Sequence, residues 1–251
     1  MRNQMAISAE NQNNVLKKGN TTVGGLRRFN AVMAFFHLAQ GMILLSLSSD
    51  FSLPVMSYFL EMDTVTNKLQ PIPEVLFNLR LAPLIAGFLI LTAIAHATVA
   101  SPWVFQWYSR NLGKGANYAR WMEYSLSSSV MMLVIAMLVG IYDVASLILM
   151  FSLNASMILF GWLMELHNET DKEVNWTSFW FGTFAGIMPW VVIGISLFGA
   201  GSGDGGPQAS SMGSLALYSY SLTSLLSPWF SNIKKSDPGT IIFLVSGFTF
   251  C

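Results

Sequence analysis

The sequence predicts an all-α membrane protein, a bundle of helices that crosses a bilayer. Three observations carry that reading. Hydrophobic residues make up 53% of the 251-residue chain and charged residues 10%, against roughly 25% charged in a soluble domain. The mean hydropathy is +0.52. The apolar residues gather into stretches of about 20, enough to cross a hydrocarbon core of about 30 Å at about 1.5 Å per residue.

Taken in order, residues 1–26 are polar and Asn-rich, with Lys17 and Lys18. No apolar core lies near Met1, so this is expected to be a short N-terminal arm and not a cleaved signal peptide. A transmembrane bundle is expected over residues 27–200. Its first span runs from Phe29 to Ser48, announced by Arg27 and Arg28. Residues 49–77 read as a loop with Pro54, Pro71 and Pro73, in which the alternation around Val55–Leu60 suits a short hairpin. The second span covers Leu79–Ala100, and residues 101–118 read as a polar turn with Arg110 and Lys114. The third covers Arg120–Gly140 and a tight turn to Asp143 follows it. The fourth is Val144–Met164, then an acidic connection with Glu165, Glu169, Asp171 and Glu173. The fifth is Ser178–Phe198, containing Pro189 and Trp190. The glycine run after it is no phosphate loop, because no Gly-Lys-Ser/Thr closes it. Residues 201–251 change character: 209–231 are Ser-rich and interrupted by Pro228, a weaker sixth span, and Gly239–Cys251 is too short for a seventh.

Basic residues give the orientation. Of 13 lysines and arginines, all but Lys68 and Arg80 fall on the side of the N-terminus. By the positive-inside rule the N-terminus is cytoplasmic, in the cell membrane.

The third span holds the candidate chemistry. Arg120, Glu123 and Ser127 are spaced three and four apart and share one helix face. A carboxylate inside a span costs about 2.5–3.5 kcal/mol on insertion scales, so it faces a partner or a wet cavity. Glu123 paired with Arg120 reads as a charged pair set against a cation or proton relay; the plainer reading is an anchoring ion pair with Arg120 reaching the interface. His37 and His96 lie in the first two spans. Each alone reads as a packing residue, but together with Glu123 they point to a shared polar core. Asn154 and Ser156 are first interhelical hydrogen-bonding groups. Trp180 reads as interface belt and Trp190 as a mid-span ligand contact, while the 15 methionines are core filler.

Several classes are excluded. Zero net charge without a basic, aromatic-interleaved patch argues against nucleic acid. One cysteine, Cys251, leaves no internal disulfide, and no His or Glu pair on one helix has zinc-ligand spacing. Neither a metal site nor a nucleophile–base constellation appears, so an enzyme is not expected. A channel or transporter would use the same polar core, although no repeated halves are visible. A membrane scaffold would not use Glu123 at all.

The stretch from Arg120 to Met132 resembles the third helix of heliorhodopsins, and so do Asn154–Trp162, Phe179–Trp190 and Phe36–Gln40. The resemblance covers about residues 27–200. It implies a rhodopsin-like bundle around retinal with a cytoplasmic N-terminus, acting as a light sensor and not an ion pump, and it suggests a homodimer. It implies that Glu123 is the counterion of a protonated retinal Schiff base, with Ser127, Arg120, His37 and His96 in its polar network. It also implies that Asn154, Met157, Ile158, Gly161 and Trp190 line the retinal pocket. The signalling partner is not indicated.

One departure stands out. The family attaches retinal through a lysine in its seventh helix, and here no lysine lies between Lys172 and Lys234. The seventh helix is expected to be missing and the sixth is weak. A change of reading frame near Gly206–Gly213 would account for this: read from the third nucleotide, one permissible set of codons for Ser221–Lys235 encodes an apolar stretch ending in two lysines. The chain as written is expected to form no covalent retinal pigment.

Overall fold

A computed structural model describes residues 23–65, 67–113, 116–168 and 174–200. The N-terminal arm, the weak sixth span, Lys234, Lys235 and the proposed change of frame lie outside the described residues. Within them are six helices and one hairpin: α1 (Val23–Ser46), β1 (Ser52–Asp63), β2 (Lys68–Arg80), α2 (Leu81–Ala100), α3 (Pro102–Leu112), α4 (Tyr118–Leu138), α5 (Val144–His167) and α6 (Thr177–Ala200). All except α3 are long and apolar enough to cross a membrane. They pack in succession, α1 on α2, α2 on α4, α4 on α5 and α5 on α6. The most apolar window of α4 is 44% buried against 22% in α1 and α2, which makes α4 the inner helix of the arc.

Two expectations change. Residues 49–77 are not a loop with a short hairpin: β1 and β2 pair antiparallel from Ser52↔Arg80 to Asp63↔Lys68, with one irregularity at Val55/Met56. Proline is tolerated because both strands are edges, each with one side free of ladder bonds. Residues 101–118 are not a turn but hold α3. Ser101 caps that helix by accepting from the Val104 N–H, and Pro102 stands in its first turn, where no backbone N–H is needed.

Two apolar clusters hold the ends. At the hairpin end, Val55 and Leu81 pack with Met132, Ile135, Met137, Leu147 and Ile193. At the opposite, basic end, Leu26, Val99, Phe105, Tyr108 and Leu112 fasten α3 to α1 and α2. The α4–α5 turn is built locally. Gly140 takes φ +89°, open to glycine without strain, as the Ile141 N–H donates to Ala136 and the Gly140 N–H to Met137. Asp143 then caps α5, accepting from the Ser146 backbone N–H and hydroxyl, each at 2.7 Å.

Candidate functional site

Helical spacing brings the polar residues together. On α1, Leu26, Asn30, Met33 and His37 are buried at intervals of four, three and four, so Asn30 and His37 share the face turned to α2. On α2, Thr92 and His96 lie one turn apart. The His37 and His96 rings stack with centroids 5.7 Å apart and planes 11° from parallel. His96 Nδ1 lies 2.9 Å from Asn30 Oδ1. An amide oxygen only accepts, so this contact places a proton on Nδ1. Asn30 is fixed in turn, since its amide donates to the Leu26 carbonyl at 2.9 Å. His37 bonds Gln40.

Glu123 enters from α4. The Thr92 hydroxyl donates to its Oε1 at 2.8 Å, and Ser127, 2% exposed, bonds the same carboxyl group. The acid is therefore held from two helices. It lines a cavity of about 70 Å³ together with Asn30, His96, Tyr108, Asn117 and Arg120. At about 30 Å³ per water the space takes a few molecules at most. It is well below the roughly 300 Å³ of the smallest drug-sized pockets.

Arg120 does not pair with Glu123. Its Nη2 donates to Glu165 Oε1 at 3.1 Å, and the Asn117 backbone N–H donates to Glu165 Oε2 at 2.9 Å. The expected ion pair within α4 is thus replaced by one that ties the start of α4 to the end of α5. Both side chains are largely buried, 15% and 17% exposed. The guanidinium lies 4.2 Å from the centre of the Trp121 ring and its Nε has no partner among the described residues. Nor does Glu165 belong to a solvated acidic connection. Tyr108, on α3 outside the spans, has its hydroxyl pushed above the ordinary value of 10.0 by burial, opposed by the Arg120 charge and by a bond to Asn117.

The other candidates lie between α4, α5 and α6, and they pack against protein. Asn154, 1% exposed, donates from Nδ2 to the Ser128 and Ser129 hydroxyls at 2.9 and 3.1 Å, joining α5 to α4. At Gly161 the Trp121 ring fills the notch: a Cβ there would fall 2.5 Å from it. At Gly186 a Cβ would overlap the Met157 sulfur. Ile158 is 3% exposed, and Trp190 packs on the hairpin-end cluster.

The sequence reading missed Asn30, Thr92, Tyr108, Asn117 and Glu165. Asn30 and Thr92 could have been found by stepping back seven residues from His37 and four from His96, along the same helix faces. Glu165 carries no such signal, being 45 residues from Arg120. Among the described residues no group of three His, Cys, Asp or Glu could hold a metal. A family model described as heliorhodopsin matches residues 26–218, more than half of the chain. Comparison with curated proteins finds no match.

Proposed function

The chain belongs to the heliorhodopsin family, and from that premise we propose that it is an integral membrane protein on the plan of a retinal-based light sensor, with its N-terminus in the cytoplasm. Glu123 is the counterion in this reading. The observation that carries it is the placement of one acid, held by Thr92 and Ser127, beside a small cavity shared with His96 and backed by His37. Bound retinal supplies a protonated imine whose positive charge such an acid stabilises. The chain's own part is to hold the acid and to keep His96 aligned through Asn30. With room for a few waters, the cavity suits a proton that moves locally, in keeping with sensing and not pumping.

The residues described do not complete a retinal site. The sole lysine among them is Lys68, on the hairpin, and the sequence has no lysine between Lys172 and Lys234. The chain of 251 residues is therefore proposed to form no covalent retinal pigment. Expression with all-trans-retinal and a visible spectrum test this: the expected result is no red-shifted band. A band that hydroxylamine bleaches overturns it. The sensing reading is overturned if illuminated liposomes holding the protein and retinal change their internal pH steadily.

A further inference from the structure

Helix α3 packs in a way that an ordinary surface helix does not. At about 100° per residue, Phe105, Tyr108 and Leu112 form one stripe, and all three are buried in the basic-end cluster. The opposite stripe, spanning about 60°, is Trp103, Trp107 and Arg110. A helix facing water carries small polar or charged residues there. Here two indoles stand out, Trp103 91% exposed and Trp107 39% exposed.

Arginines lie at the same end of the bundle, Arg110 on the stripe itself. Arg110 is exposed, and its Nε donates to the Gln106 carbonyl at 3.2 Å. Arg27 and Arg28, both exposed, start α1 beside Leu26, which packs in the same cluster as α3. The Arg27 Nε donates to the Ala100 carbonyl at 2.8 Å, and its guanidinium lies 5.9 Å from the Phe105 ring centre. That fixes the fork and leaves its two terminal nitrogens for another acceptor. Among the described residues the acids nearest this end, Glu123 and Glu165, are turned inward. Exposed indoles at the same end as exposed guanidinium groups match the boundary between acyl chains and phosphates.

The geometry points to a binding site for anionic phospholipid: α3 lies along the membrane surface, with Trp103 and Trp107 at the level of the upper acyl chains and Arg27, Arg28 and Arg110 on headgroup phosphates. Arginine suits this role because its planar fork meets phosphate oxygens two at a time. The site is independent of retinal and of the direction in which the chain inserts.

A nitroxide at Gln106→Cys, beside the stripe in a Cys251→Ser background, tests it in nanodiscs. Its collision rates with oxygen and with a water-soluble nickel chelate report depth. Adding phosphatidylglycerol to phosphatidylcholine is expected to lower nickel access severalfold, and high salt to restore it. Arg28→Gln with Arg110→Gln is expected to abolish the response to phosphatidylglycerol, while Trp103→Gln raises nickel access in both bilayers. Nickel access that ignores phosphatidylglycerol, or a response that salt leaves untouched, overturns the proposal without any arginine variant. Spin–spin broadening that grows with protein per disc overturns it in favour of a second copy on this face.

Discussion

The two sides of α4 solve the same problem in opposite ways. Toward α1 and α2 it presents Glu123 and Ser127, and the contacts are hydrogen bonds with fixed lengths and directions, from Thr92 and around His96 and Asn30. Such contacts hold the helices apart at set points, and a cavity remains. Toward α5 and α6, between the Arg120–Glu165 pair and the Asn154 bonds to Ser128 and Ser129, apolar side chains have closed over the available space: Trp121 lies in the notch at Gly161, and Met157 lies against Gly186. Dispersion contacts have no preferred direction, so nothing keeps that side open.

Four experiments break or sharpen that contrast. The largest effect is expected at the end where α4 meets α5, from Glu165→Gln, which leaves the buried Arg120 charge without its carboxylate. Removing one partner of a buried pair costs about 3–5 kcal/mol, and the residual exposure of 15% and 17% places this one near the lower end. Thermal unfolding of the purified protein measures it, and Arg120→Gln in the same background is expected to recover part of the loss. Next comes Gly161→Ala on the apolar side. A methyl group 2.5 Å from the Trp121 ring forces repacking at about 1–3 kcal/mol, partly offset by a helix-propensity gain of about 1 kcal/mol. Trp121→Leu in the alanine background is expected to restore stability if the ring is the obstacle.

Asn154→Ala is smaller, about 1 kcal/mol, because the Ser128 and Ser129 hydroxyls keep their own bonds to the Tyr124 and Ser125 carbonyls when the amide donor is lost. The same unfolding assay reads it, and a double cycle with Ser129→Ala isolates the bond. The smallest effect concerns pH. The folded Tyr108 hydroxyl titrates above its unfolded value of 10.0, so in alkali the unfolded state loses its proton first. Stability from this group is full below pH 10 and declines as pH rises beyond it. Unfolding temperature is expected to fall more steeply above pH 10 in the native protein than in Tyr108→Phe.

The five spans were legible because a run of about 20 apolar residues with few charges leaves the backbone one solution in lipid. Histidine and acid could be grouped because each is costly in a span and they sit on different helices. Helix α3 was hidden because Gln106, Ser109, Arg110 and Asn111 disguise an apolar stripe of only three residues. The hairpin was foreshortened because Pro54, Pro71 and Pro73 break the alternation that marks a strand, and a two-stranded ribbon tolerates them. Arg120 was given the wrong partner because Glu123, three residues on, satisfies the local rule for helical pairs. Chain connectivity cannot reveal that Glu165, at the end of another helix, arrives first.

The hairpin is joined to the corner where α4 ends. The Met56 N–H donates to the Tyr142 carbonyl at 2.8 Å, and Val55 is buried against Met132 and Ile135. From that hinge point the ribbon runs on from Met56 to the end of β1 at Asp63, reaching out roughly 25 Å at about 3.4 Å per residue. It is a long arm with a short fulcrum. Whatever grips its tip gains mechanical purchase on the helix that carries Glu123, from outside the membrane and without touching the acid.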